Sequence, residues 1–186
     1  MKRLLLVFLV MLLLSGCTTK KNDVEPGLLL REEILSAKGC SFDTSIVADY
    51  GEKCYTFNMR CNSDTSGNVV FTVTSPASIS NIAGTVSAEG GALTFDDQVL
   101  TFEMLADGQI TPVSAPWLFM RALRSGYIRS CEEKDDMIHM VVDDSYAEKA
   151  LQVDVYMQKD RTPVRADILW EGKRIIALSV ENFKMV

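Results

Sequence analysis

From Cys40 to the C-terminus, apolar side chains recur at every second position in short runs broken by Gly, Pro, Asn, Asp and Ser. A period of two sends alternate side chains to opposite faces of an extended chain, so each run reads as a half-buried strand. The first runs carry Phe42, Thr44 and Ile46, then Tyr55, Phe57 and Met59, then Val69, Phe71 and Val73. A weaker run at Thr85-Val86 precedes a compact hairpin of Leu93 and Phe95 with Leu100, Phe102 and Met104. Beyond a break, residues 127–131, 138–142, 151–157, 164–170 and 174–183 continue the pattern. Short turns between them favour antiparallel neighbours, because parallel strands need long crossovers. The expected result is a mainly β (α+β) domain with an antiparallel meander of about ten strands.

Turn lengths predict the pairing. A two-residue turn at Tyr50-Gly51 sets Ile46 opposite Tyr55, Phe42 opposite Met59 and Cys40 opposite Cys61. Turns at Asp96-Asp97 and Glu171-Gly172 place Leu93 opposite Leu100 and Ile168 opposite Ile175.

Two stretches depart from the period of two. Leu28, Leu29, Ile34 and Leu35 with Arg31, Glu32 and Glu33 form an amphipathic helix stopped by Gly39. The second helix, residues 111–125, takes Thr111 as its N-cap and Pro112 as its first position, and ends at Gly126. Its only polar side chains after the cap are Ser114, Arg121, Arg124 and Ser125, and a helix apolar on nearly all sides is normally buried. It is either a core helix or a helix lining a groove inside a curved sheet.

The N-terminus carries Lys2 and Arg3, an apolar run from Leu4 to Leu14, and small residues before a cysteine, the layout of a secretory signal. The tetrapeptide Leu14-Ser15-Gly16-Cys17 resembles the lipobox of bacterial lipoproteins. That resemblance implies a diacylglycerol on the Cys17 sulfur, cleavage before Cys17, and acylation of the new amine. The apolar run is too short to cross a hydrocarbon core, which needs about 20 residues. Two or more acyl chains hold a protein stably on a membrane. Residues 1–16 then read as signal peptide, 17–27 as a lipidated tether, and 28–186 as one domain. The expected location is extracytoplasmic, on the bacterial cell membrane or on the outer membrane of a two-membrane envelope.

A formal net charge of −6, more negative once Lys2 and Arg3 leave, argues against nucleic-acid partners. With Cys17 lipidated, Cys40, Cys54, Cys61 and Cys131 remain, an even number compatible with two disulfides in any of three connectivities. The hairpin register favours Cys40 with Cys61 and leaves Cys54 with Cys131. No C-x-x-C pair occurs and His139 is the one histidine, so no metal site is expected.

Catalytic signatures such as G-x-S-x-G, H-E-x-x-H or a P-loop are absent, and no cofactor or enzymatic activity is expected. Asp96-Asp97, Asp135-Asp136 and Asp143-Asp144 fall where hairpins turn and lack the spacing of a calcium loop.

The lipobox, the N-terminal helix, the long meander and one apolar helix between strand groups together resemble lipoprotein-sorting factors of the LolA/LolB type. The closing run Val153-Asp154-Val155-Tyr156, Thr162-Pro163-Val164-Arg165-Ala166-Asp167-Ile168, Ile175-Ile176-Ala177-Leu178 and Asn182-Phe183 is similar to that superfamily's C-terminal hairpin. The resemblance implies a half-barrel whose concave apolar face, with the helices packed on it, accepts a lipid or a lipoprotein acyl chain. The four body cysteines are not part of the family's common pattern. Trp117, Met120 and Leu123 share a helical stripe, and Phe57, Phe71, Phe102 and Val155 are the inward strand candidates for lining such a groove. The alternative is a barrel filled by its own side chains whose outer surface docks a protein partner in the envelope.

Overall fold

The computed structural model describes residues 24–96, 98–106, 109–146 and 150–186. Cys17 and the signal segment lie outside the described residues, as does Asp97 of the Asp96-Asp97 turn. Helix α1 (Glu25–Ser36) leads into a run of strands: β1 (Gly39–Asp49), β2 (Cys54–Asp64), β3 (Val69–Ser75), β4 (Ala83–Ser87), β5 (Gly90–Phe95) and β6 (Gln98–Phe102). The short strands β7 (Leu105–Ala106) and β8 (Gln109–Ile110) pair only with each other, and α2 (Ala115–Ser125) follows. Strands β9 (Tyr127–Lys134), β10 (Met137–Asp143), β11 (Gln152–Met157), β12 (Pro163–Trp170) and β13 (Lys173–Met185) complete the chain.

Eleven strands form one curved, unclosed antiparallel sheet in the order β6-β5-β4-β3-β2-β1-β13-β12-β11-β10-β9. The last strand thus returns to pair with the first, and β6 and β9 are the free edges. This is the expected half-barrel with both helices on its concave side. The long strands β1, β2 and β13 sit at its centre.

Four local expectations are corrected. A four-residue loop, not a two-residue turn, joins β1 to β2, so Asp49 pairs with Cys54, Ile46 with Phe57, and Phe42 with Cys61. Cys40 therefore pairs with Ser63, and the Ser63 hydroxyl accepts the Cys40 N–H at 3.2 Å. The displacement is even, so every side chain keeps its face. At β12–β13 a bulge puts Ile168 opposite Ile176 and leaves Ile175 as the extra residue. The second helix begins late: Pro112–Ser114 is a single 3₁₀ turn, the α-helix starts at Ala115, and the Thr111 hydroxyl donates to the Glu103 carbonyl at 2.9 Å instead of capping. The first helix starts early, at Glu25, with Pro26 in its opening turn.

The Asp135-Asp136 pair serves a turn. Asp135 and Asp136 adopt φ of 52° and 63° between β9 and β10, the left-handed conformation that a two-residue hairpin requires.

Buried side chains from the concave face of the sheet meet α2, eight of whose eleven residues are buried. Helix α1 buries only a narrow stripe, Gly27, Leu30 and Ile34. Gly27 is the point of closest approach, because a Cβ there would lie 2.5 Å from Met140 Sδ and 3.1 Å from Cys131 Sγ. Asn182, at φ 53°, is part of a bulge opposite β1 that turns Phe183 onto Phe42 and Phe119, at ring separations of 6.0 and 6.4 Å. The Asn182-Phe183 pair of the closing run is thereby a device for plugging one flank of the core.

Candidate functional site

At the end of the half-barrel where the β1–β2 and β12–β13 hairpins turn, the core opens into a cavity of about 540 Å³. Its apolar wall comes from Trp117 and Leu118 of α2, Leu151 before β11, and Trp170 and Ile175 from the β12–β13 hairpin, with Met104 and Ile110 closing one side. The bulge that displaces Ile175 is what turns it to this space. Asp49, Arg121, Asp144 and Lys173 supply charge around it. Both tryptophans of the chain line the cavity.

Several contacts hold the frame. The Tyr50 hydroxyl donates to the Ile110 carbonyl, tying the β1–β2 loop to the β7–β8 hairpin. Burial pushes this phenol up to about 12, with the neighbouring Tyr55 adding to the effect. Asp49 Oδ1 accepts the Gly51 N–H and Asp144 Oδ1 accepts the Leu151 N–H, both at 2.8 Å. These two carboxylates are engaged in shaping their own loops. The Arg121 guanidinium lies over the Trp117 ring, 5.2 Å from its centroid.

Of the groove candidates, Trp117 alone lines this cavity. Met120, Leu123, Phe57, Phe71 and Val155 all face inward and belong to the buried core cluster, outside the cavity lining. The physical reason is α2 itself, which fills much of the concavity and borders the cavity with its first two turns. Phe102 lies elsewhere, in a separate open cleft of about 570 Å³ near the β5–β6 edge. Its ring covers Gly91, where a Cβ would meet Phe102 Cζ at 2.1 Å. Leu118, Leu151, Trp170 and Ile175 were not foreseen as lining. Trp170 had a signal in the sequence, an aromatic side chain directly before a Glu-Gly turn.

Cys40, Cys54 and Cys61 carry free thiols. Cys40 and Cys61 are diagonal neighbours on the buried face, not the direct pair expected. Cys54 is exposed at the start of β2, and Cys131 is buried on β9, with five strands between them in the sheet order. His139 is on the opposite face of β10 from the core residue Met140. Its ring stacks on Tyr156 at 4.6 Å, and Nε2 is 3.2 Å from Asp154 Oδ2.

No protein-family model matches the chain, and no curated protein matches it in sequence. Among solved structures the chain is similar to a LolA-superfamily protein of Nitrosomonas europaea, at 11% identity over 86% of this chain and 93% of that one, with a TM-score of 0.45. It is similar to a putative outer membrane lipoprotein-sorting protein domain from Vibrio parahaemolyticus, at 10% identity over 87% and 91%, TM-score 0.49. A chain from the complex of the Clostridioides difficile CwlD amidase with the GerS lipoprotein is 10% identical over 93% and 100%, TM-score 0.42. The function has to be argued from the cavity's own residues.

Proposed function

We infer that this chain is a lipid-anchored, extracytoplasmic protein of the bacterial envelope that binds a hydrophobic ligand, a lipid or a lipoprotein acyl chain, without catalysing a reaction. The observation that carries this reading is the apolar cavity of about 540 Å³ beside Trp117 and Trp170. Its size falls within the range of about 300–1,000 Å³ usual for small-molecule sites. The filled concavity confines the ligand to the end of the half-barrel. The lipobox at Cys17 supports anchoring, and the apolar walls support an acyl chain. His139 lies on the far face of the sheet, away from the cavity.

The test is titration of the purified protein with hexadecanol, followed by tryptophan fluorescence, in the parent chain and in Leu151→Phe, which fills part of the space. A fluorescence change in the parent, weakened about tenfold in the variant, supports the reading. An unresponsive parent, or a variant that binds equally well, overturns it. Anchoring is tested separately. Cys17→Ala should leave the membrane fraction, and retention there with normal processing would contradict the lipoprotein assignment.

One observation favours a second reading, docking of a protein partner. Edge strand β6 exposes Val99 at 67% and Leu100 at 64% and bears no charge, whereas the opposite edge strand β9 carries Arg129, Glu132, Glu133 and Lys134. Charged residues protect edges from strand addition, and β6 lacks them. If a partner docks there, Val99→Pro removes the complex and leaves hexadecanol binding unchanged.

A further inference from the structure

We propose that the cavity selects amphiphiles with an anionic head, and that Arg121 is the residue that reads the charge. This rests on the ligand-binding reading above and names the class of ligand.

Eight arginines lie among the described residues, and seven of them hold an oxygen acceptor of the protein. Arg31 and Arg124 donate to backbone carbonyls, and the other five pair with carboxylates. Arg121 is the exception. Its contact is the face of Trp117, one helical turn before it. Stacking of this kind uses the plane of the guanidinium and leaves its in-plane N–H donors available. Those donors belong to a side chain that lines an apolar cavity, next to walls suited to an acyl chain.

Two carboxylates and one ammonium complete the charged lining. Asp49 and Asp144 each spend an oxygen on a backbone N–H of their own loop, which fixes them in place as turn residues. Lys173, exposed on the β12–β13 turn, adds a second cation at the rim. A planar guanidinium held by an indole, weakly hydrated and bordered by apolar side chains, is suited to bidentate pairing with a carboxylate or a phosphate monoester. The acyl chain would lie along Leu118, Leu151 and Ile175, with the head on Arg121.

The experiment compares palmitate, hexadecyl phosphate and hexadecanol, each below its micellar concentration, by tryptophan fluorescence. The parent protein is set beside Arg121→Gln and Arg121→Lys. The expected result is that both anions bind the parent about tenfold or more tightly than hexadecanol. In Arg121→Gln the ratio of anion to hexadecanol affinity should fall to about one, and Arg121→Lys should keep part of the preference. A response to phosphate alone would come from inorganic anion at the rim, so inorganic phosphate is run as a control and should not compete. Equal affinity for all three amphiphiles overturns the proposal and leaves the apolar-ligand reading intact, as does competition by inorganic phosphate. Failure of all three to bind overturns both. An Arg121→Gln protein that binds all three more weakly by the same factor shows a structural role for Arg121 and also overturns the proposal.

Discussion

Arg31 Nη2 donates to the carbonyl oxygen of Gly126 at 2.6 Å, so a side chain from the first helix caps the C-terminus of the second. The same side chain reaches two more carbonyls, Leu123 through Nε at 2.9 Å and Ala122 at 3.2 Å. The last carbonyls of a helix have no partner within it and carry the negative end of its dipole, so a guanidinium placed there is doubly favourable. Gly126 itself has no room for a side chain, since a Cβ would meet Val142 Cγ1 at 2.3 Å. The contact therefore fixes where α2 ends and, through it, how Trp117 and Arg121 are held.

Arg31→Gln should cost about 2 kcal/mol, because charged hydrogen bonds are lost and half-buried carbonyls are left without donors. Denaturant unfolding measures it. A loss below about 0.5 kcal/mol would mean that water replaces the guanidinium there without penalty.

The thiols should differ sharply in reactivity. Burial raises the Cys40 thiol above its usual value, against a smaller opposing effect from Ser63, and burial pushes Cys61 up further, with Asp43 contributing. Cys54 is exposed. Since the thiolate is the reactive form, Cys54 should be alkylated by iodoacetamide in the folded protein, with Cys40 and Cys61 reacting only after unfolding. Peptide mapping reads the outcome. Early labelling of Cys61 would contradict the sealed packing of β2.

Alternation put Phe57, Phe71 and Val155 on one face of their strands, and all three are buried, whereas Phe102, chosen the same way, lies at the open β5–β6 edge. The face is kept because the side-chain period survives any displacement of two. Loop length carries no such protection. Four residues between β1 and β2 instead of two moved Cys40 from Cys61 to Ser63 and removed the basis of the expected pairing. The bulge beside Leu169 was equally hidden, since one extra residue among Arg174, Ile175 and Ile176 leaves no mark in an apolar run. The cavity was least legible of all. Its walls come from α2, the β7–β8 hairpin, the segment before β11 and the β12–β13 hairpin, which only the sheet order brings together.

Tyr50 predicts a pH dependence. Its folded value is raised from 10.0 to about 12, while the unfolded chain titrates near the ordinary value. Between those values the unfolded state has lost the proton that the folded state keeps, so stability falls as pH rises. The contribution of Tyr50 is complete below about pH 10 and is lost as pH climbs toward 12. Urea midpoints measured across pH 9–11.5 should fall more steeply for the parent than for Tyr50→Phe, which has no proton to lose. Parallel curves would show that the Tyr50 hydroxyl is not buried in the folded protein.

The sharpest contrast is between Met120, in the core, and Ile175, at the site. Both are apolar, but Met120, on α2, is at 0% exposure within the packed core whereas Ile175 is half-buried at the cavity. A carboxylate at Met120 has no water and no cation to meet, so Met120→Glu should cost about 3 kcal/mol or more. At Ile175 the new charge can be solvated through the cavity, and Ile175→Glu should cost about 1 kcal/mol. The effects on ligand should run the other way. Ile175→Glu, still folded, puts a charge against the acyl chain and should abolish the hexadecanol response. Milder substitution of the core, Met120→Leu, conserves volume and should leave that response unchanged. Unfolding midpoints and fluorescence titrations on the same three proteins decide the matter. Should Met120→Glu prove as stable as Ile175→Glu, α2 borders open space along its whole length and the ligand site extends under the helix. Should Ile175→Glu bind hexadecanol normally, the chain does not lie against the β12–β13 hairpin.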